Sequence, residues 1–117
     1  MPTIRDLVAA IRGRDGVEAA VVLGRDGLLI DSQADASVDA EQVAAHVPPV
    51  LQAAEELGSS GHRGLLQTAV IEYDQGYAIV ASVSADAVLL VLVSPDANLA
   101  QLLYELRRNR ANIAALV

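Results

Sequence analysis

Residues 88–93 read Val-Leu-Leu-Val-Leu-Val, an unbroken run of large apolar side chains. A strand that is covered on one face alternates apolar and polar residues, whereas a strand that is covered on both faces need not alternate. The run is too short to span a membrane, and it is richer in valine than a helix start prefers. It therefore predicts a central strand whose sheet carries helices on both faces.

Two further strands are predicted before this run. Tyr77–Ser84 follows a turn at residues 73–76, and the two together are typical of a hairpin. The strand before the turn, Leu65–Tyr73, carries polar side chains on both of its faces, which indicates a sheet edge. These side chains are Gln67, Thr68 and Glu72. We expect the protein to meet a second copy of itself along this edge.

The N-terminal part predicts a helix and a second hairpin. Apolar residues recur at helical spacing in Thr3–Arg12, and Thr3 with Asp6 forms a plausible capping pair. Val17–Leu23 is largely apolar on both faces and predicts a second central strand. The turn at residues 24–27 ends in Asp-Gly, and Leu28–Ser32 then returns as the opposite edge of the sheet.

A long helix is predicted from Val38 or Asp39 to about Leu57, with Pro48-Pro49 in its middle. Its apolar stripe consists of Val43, Val47, Val50, Ala54 and Leu57. A proline inside a helix costs about 3 kcal/mol or more, because it lacks the N–H donor and clashes with the preceding turn. The helix is therefore either kinked or split, with Pro48 opening the second half. The stripe continues in phase on both sides of the prolines, which favours the kink.

The remaining segments complete one domain over residues 1–117. Gly58–Gly64 is predicted to be a loop, and Ser94-Pro95-Asp96 is predicted to start the last helix. The apolar face of this helix contains Leu99, Leu102, Leu103 and Leu106, with Ile113 and Leu116 as a possible extension. The element order is α-β-β-α-β-β-β-α, an α/β (α+β) chain with a mainly antiparallel sheet.

Composition excludes several classes of function. The chain of 117 residues is 53% hydrophobic but only 3% aromatic, and its formal net charge is −7. This charge opposes binding to nucleic acid or to anionic membranes, and few side chains could stack on bases. The absence of cysteine excludes disulfides, and the absence of lysine excludes a Schiff-base or phosphate-loop lysine. Without a signal-peptide pattern or a membrane-length apolar run, we expect a cytoplasmic protein.

No residue pattern points to a catalytic, cofactor or metal site. The Gly58–Gly64 loop could cradle an anion with its amides, but a plain connection is the simpler interpretation. His46 and His62 are isolated in sequence from each other and from carboxylates at metal-binding spacing. Asp31, Asp35, Asp39 and Glu41 form an acidic cluster that lacks the glycine of a calcium loop. We therefore expect no cofactor and no intrinsic enzymatic activity.

The segment between Arg25 and Arg63 contains acidic residues and no basic residue. Its acidic residues are Asp26, Asp31, Asp35, Asp39, Glu41, Glu55 and Glu56. One interpretation is solubility alone. The other is that the long helix attracts a partner with a basic patch, so that salt would slow their association.

The chain resembles the Roadblock/dynein light chain family, including its bacterial MglB-like members. The resemblance rests on residues 21–32, Val-Val-Leu-Gly-Arg-Asp-Gly-Leu-Leu-Ile-Asp-Ser, and on residues 86–93, Asp-Ala-Val-Leu-Leu-Val-Leu-Val. The latter run leads into Asn98-Leu99 and residues 102–107, Leu-Leu-Tyr-Glu-Leu-Arg. The resemblance to this family implies a profilin-like, five-stranded sheet of order 2-1-5-4-3. One long helix would cover one face, and the first and last helices would cover the other.

The resemblance also implies a homodimer that binds a small Ras-like GTPase as regulator or scaffold, without an arginine finger and without enzymatic activity of its own. The predicted dimer interface is Gln67, Thr68, Val70 and Glu72. The predicted partner surface on the long helix is Glu41, Gln42, Ala45, Gln52 and Glu56. Two alternatives stay open: a small-molecule sensor with a pocket under the long helix, and a purely structural dimer subunit.

Overall fold

Five strands and five helical segments build the fold in a computed structural model that describes residues 1–117. The strands are β1 (Val17–Gly24), β2 (Leu29–Ala34), β3 (Thr68–Tyr73), β4 (Gly76–Ser82) and β5 (Ala87–Val93). The helical segments are α1 (Ile4–Arg12), α2 (Ala40–Ala45), α3 (Val47–Ser60), α4 (Leu99–Arg108) and α5 (Arg110–Ala114). All neighbouring strands are antiparallel, and their order is β2-β1-β5-β4-β3, which confirms the predicted topology.

Each face of the sheet buries its own aliphatic cluster, because β1 and β5 send apolar side chains in both directions. On one face, Val22 and Leu89 pack with residues of α1, α4 and α5. On the other face, Val21 and Leu90 pack with residues of α2 and α3. No buried residue is polar or charged. The prediction of a central β5 covered on both faces is confirmed.

The β2 edge is interrupted by a bulge. Val22 pairs with Asp31 and Leu23 pairs with Leu29, so that Ile30 has no partner on β1. A bulge bends its strand and breaks the regular ladder of hydrogen bonds. The strand also continues to Ala34, two residues beyond the predicted end at Ser32, because Ala34 still pairs with Ala19.

The predicted long helix is split rather than kinked, and the preference for a kink was wrong. His46 ends α2, and α3 begins at Val47. Pro48 and Pro49 therefore lie in the first turn of α3, where the backbone N–H groups have no partner within the helix. The split also brings the Pro48 ring against the β1–β2 turn, since a Cβ added to Gly27 would lie 3.1 Å from Pro48 Cγ.

The buried stripe of these helices also differs from the predicted one. Ala44, Val47 and Leu51 are buried, whereas Leu57 is exposed. The small side chain of Ala44 lets α2 approach the sheet, and the side of the helical pair that carries Ala44 and Leu51 therefore faces the sheet. Leu57 then lies on a flank that no other part of the chain covers.

Several other predicted boundaries were also wrong. Strand β4 ends at Ser82, two residues before the predicted Ser84. Helix α3 continues to Ser60 and takes up the first part of the Gly58–Gly64 loop. Strand β3 begins at Thr68 rather than Leu65, because β4 ends at Ser82 and offers no further partner. The last helix is capped by Asn98, whose side chain accepts a hydrogen bond from the Gln101 N–H, and it is interrupted at Asn109. The predicted cap Ser94 instead belongs to a turn, in which its N–H donates to the Gly16 carbonyl.

Candidate protein-interaction surface

Strand β3 leaves a row of backbone groups without partners. The Ser82 N–H donates to the Gln67 carbonyl at 3.0 Å, and the same register continues along β3 and β4. In an antiparallel pair, hydrogen-bonded and non-hydrogen-bonded residues alternate. The backbone groups of Thr68, Val70 and Glu72 therefore point away from β4, toward the open edge.

Exposed apolar side chains border this edge. We define the β3 border as Leu65, Val70 and Tyr73, which are 88%, 40% and 57% exposed. An open strand edge flanked by apolar side chains favours pairing with another chain.

The residues predicted for the dimer interface lie along this edge. Thr68, Val70 and Glu72 pair with Ala81, Ile79 and Tyr77 of β4, so they share the face that α5 covers. Thr68 Oγ1 accepts a hydrogen bond of 2.9 Å from Arg110 Nη2 at the start of α5. Gln67 lies just outside β3, with its carbonyl bonded to Ser82.

The residues predicted for the partner surface are all exposed on the outer side of α2 and α3. They are Glu41, Gln42, Ala45, Gln52 and Glu56. Gln52 Nε2 donates to Glu56 Oε1 at 3.2 Å, which joins two of these side chains on adjacent turns. Asp39, by contrast, caps α2 by accepting hydrogen bonds from the Glu41 and Gln42 N–H groups, so its carboxylate is a local structural element.

Arg25 has a role that the sequence pattern did not reveal. Its Nη1 lies 3.3 Å from Glu55 Oε2, and its Nη2 donates to Ser82 Oγ at 2.8 Å. One side chain in the β1–β2 turn thus holds both α3 and β4, more than twenty residues away in sequence. Because Arg25 pairs with Glu55, the outward acidic charge of α2 and α3 comes chiefly from Glu41 and Glu56.

The residues considered for ligand chemistry are scattered. His46 and His62 are both exposed, on the helix break and in the loop after α3. The amides of Gly61, His62 and Arg63 already donate to carbonyls of Leu57, Ser59 and Gly58, so this loop does not present them to an anion. No three His, Asp or Glu side chains come together with metal-binding geometry. No helix has the length and apolar character needed to cross a membrane.

The largest apolar groove does not lie beneath the long helical pair. It has a volume of about 730 Å³ and runs between α1 and α4–α5, with Leu7, Leu106 and Ile113 among its walls. Beneath α2 and α3, Val47 and Leu51 are buried, and Pro48 fills the space beside Gly27. The pocket that a small-molecule sensor would need at the proline pair is therefore occupied by side chains.

Comparison with known proteins agrees with this architecture. The family model for the Roadblock/LC7 domain matches residues 3–93. An uncharacterized protein of Methanocaldococcus jannaschii is 36% identical over 103 residues, which cover 87% of this chain and 86% of that protein. A second uncharacterized protein of the same organism is 31% identical over 102 residues, covering 87% of this chain and 89% of that protein.

Solved structures share the fold at lower identity. The Roadblock/LC7 domain from Streptomyces avermitilis superposes with a TM-score of 0.84 at 23% identity, over 97% of both chains. The gliding protein MglB from Thermus thermophilus has a TM-score of 0.82 at 15% identity, over 96% of this chain and 86% of its own. MglB from Myxococcus xanthus has a TM-score of 0.84 at 13% identity, over 98% of this chain and 97% of its own.

Proposed function

Because this chain belongs to the Roadblock/LC7 family, we propose that it is a homodimeric, non-enzymatic regulator or scaffold of a small Ras-like GTPase in the cytoplasm. The single observation that carries the proposal is the β3 border beside an unpartnered strand edge. A second copy would pair with the outward backbone groups of β3 and cover the exposed side chains of Leu65 and Val70.

The homodimer would continue the sheet across a twofold axis. Pairing of two identical edges by one rotation is the commonest way in which soluble chains form dimers. The rotation would place the α2–α3 pairs of both subunits on the same side of the joined sheet. Their outer residues, including Glu41, Gln52 and Glu56, would then form one acidic surface.

The GTPase is expected to bind on this acidic surface. The resemblance of the sequence to GTPase-binding members of the family supports this partner, and so does the concentration of carboxylates on α2 and α3. This protein would stimulate GTP hydrolysis by ordering the switch residues of the GTPase itself. Arg107 and Arg108 lie on α4, across the sheet from α2 and α3, so we expect neither to act as an arginine finger.

The test separates self-association from regulation. The oligomeric state of the wild-type protein is measured by sedimentation. GTP hydrolysis by Ras-like GTPases encoded in the same genome is then measured with and without this protein. Val70→Pro removes an N–H that points away from β4, so it should block dimer pairing while the β3–β4 ladder remains. Val70→Thr keeps the N–H and the β-branched shape and is the matched control.

We expect a wild-type dimer, a monomeric Val70→Pro variant, and faster hydrolysis with wild type and Val70→Thr. Binding of a GTPase without a change in turnover would establish the scaffold role. A wild-type protein that stays monomeric at high concentration, or that binds none of these GTPases, would overturn the proposal.

A further inference from the structure

Arg110 reaches from α5 to the open edge of the sheet. Its Nη2 donates to Thr68 Oγ1, and the side chain is half-buried. The ion pairs within the chain join Arg14 with Glu105 and Arg25 with Glu55, so Arg110 has no carboxylate partner. A guanidinium has five N–H donors in a planar fork, and the hydrogen bond to Thr68 uses one of them. Thr68 thus holds the Arg110 guanidinium beside the β3 edge, and the other N–H donors of the guanidinium are free to bind a partner.

Glu72 is the complementary group on the same strand. It is exposed, it has no ion pair within the chain, and it lies on the same face of β3 as Thr68. The two residues stand at the two ends of the row of outward-pointing backbone groups. A twofold partner strand runs antiparallel to β3, so it can bring the Glu72 end of one strand to the Thr68 end of the other.

The backbone limits how two β3 strands can pair. Only Thr68, Val70 and Glu72 offer outward N–H and C=O groups, so they must face one another across the twofold axis. With Val70 opposite Val70, Thr68 faces Glu72 of the partner subunit, and every outward residue of the strand is used. A shift by two residues in either direction leaves part of this row unpaired.

The side chains favour the same register. On the opposite face of β3, it places Ala69 across from Ile71 of the partner subunit, a small residue against a large one. The shift that would centre the axis on Glu72 places two carboxylates directly opposite each other, which is destabilising. The register centred on Val70 instead places each Glu72 within about 5.5 Å, between Cα atoms, of the Thr68 that holds Arg110.

We infer that the homodimer is centred on Val70 and that Glu72 of each subunit forms an ion pair with Arg110 of the partner subunit, which Thr68 holds in position. This inference rests on the proposed homodimer and adds the register of its β3 strands and the ion pair between its subunits. Twofold symmetry produces the ion pair twice. The second copy is thus recognised by charge as well as by the β ladder.

Single-cysteine variants test the register directly, because the chain has no cysteine of its own. A residue on the twofold axis faces itself, and its thiols can form a disulfide at ordinary Cα separations. We expect Val70→Cys to cross-link under mild oxidation faster than Ala69→Cys or Ile71→Cys. Faster cross-linking of Ala69→Cys or Ile71→Cys would reveal a register shifted by one pair and would overturn the inference.

Charge reversal tests the ion pair. Glu72→Arg and Arg110→Glu should each raise the dimer dissociation constant at least about tenfold, because each places like charges opposite one another twice. Mixing the two variants restores both attractive pairs only in the heterodimer, which should therefore form in preference to either homodimer. The double variant E72R/R110E should regain homodimer affinity. Arg108→Glu, an equal charge change at an exposed site on α4, is the control.

The outcomes distinguish this inference from the proposed function. A wild-type monomer would contradict the homodimer itself. A stable wild-type dimer in which Glu72→Arg and Arg110→Glu behave like Arg108→Glu, with no preference for the mixed heterodimer, would contradict only the ion pair.

Discussion

Among single residues, Gly76 is a position at which the backbone tolerates no side chain. It ends the β3–β4 turn with a φ of 141°, in the region that L-residues rarely adopt. It is also buried, and a Cβ at this position would collide with the carbonyl oxygen of Val93 on the central strand. The hairpin that presents β3 at the border therefore depends on this glycine.

Gly76→Ala should lower the free energy of unfolding by about 3 kcal/mol, from backbone strain together with the collision. Gly13→Ala is the matched control, since Gly13 has a φ of −75° and the nearest atom to its added Cβ lies at 3.4 Å. The control should change stability by less than about 1 kcal/mol. Urea denaturation at one protein concentration measures both, and equal effects would contradict the prediction.

At the level of elements, the break between α2 and α3 resolves the conflict between two prolines and a helical pattern. The prolines lie where a helix needs no N–H donors, and Pro48 also contacts the β1–β2 turn at Gly27. The break therefore lets α2 and α3 pack against the β1–β2 hairpin with little loss of helix stability.

Replacing Pro48 or Pro49 by alanine should lower the free energy of unfolding by no more than about 1 kcal/mol, chiefly through the unfolded chain. Ala53→Pro, in the interior of α3, should lower it by about 3 kcal/mol or more because an N–H inside the helix is lost. Thermal unfolding followed by circular dichroism measures the difference. A Pro48→Ala loss as large as that of Ala53→Pro would mean that the break itself holds the fold.

Features that depend on residues close together in sequence were predicted correctly. Features that depend on contacts between distant segments were not. The unbroken apolar run of β5 predicted its central position, and the two turns predicted the hairpins, because burial and turn formation depend on adjacent residues. The full strand order came from the resemblance to the family. The choice between Ser94 and Asn98 as helix cap depended on where the chain leaves β5 and contacts Gly16. The hydrogen bonds of Arg25 with Glu55 and Ser82 join segments that are distant in sequence, so no local sequence pattern predicts them.

Leu57 was misplaced for a different reason. It fits an apolar stripe, but this chain alone offers nothing to cover it. The strand that contains the predicted interface residues was expected at an edge because Gln67, Thr68 and Glu72 put polar side chains on both of its faces. Their backbone direction, which governs pairing, became evident only from the hydrogen-bond register with β4.

For the whole molecule, the outer side of α2 and α3 carries unpaired acidic side chains. The formal net charge is −7, and Glu41 and Glu56 face outward from α2 and α3 without a basic neighbour in an ion pair. Such a surface accelerates encounter with a basic partner and is weakened by salt.

The association rate with the proposed GTPase partner should therefore fall by about tenfold when both Glu41 and Glu56 are replaced by arginine, and it should fall as salt is raised. The matched control is D15R/D96R, the same charge change at exposed residues in the α1–β1 and β5–α4 connections. Stopped-flow measurements at several salt concentrations compare the two. A rate independent of salt would remove the steering role of this surface.

The bulge at Ile30 would limit the size of the proposed assembly. Once two β3 strands have joined, the only free borders of the combined sheet are the two β2 strands, one at each extremity. Each of these is kinked where Ile30 falls out of register, so an incoming strand meets an irregular template. We therefore expect the proposed dimer not to grow into a fibre by strand addition.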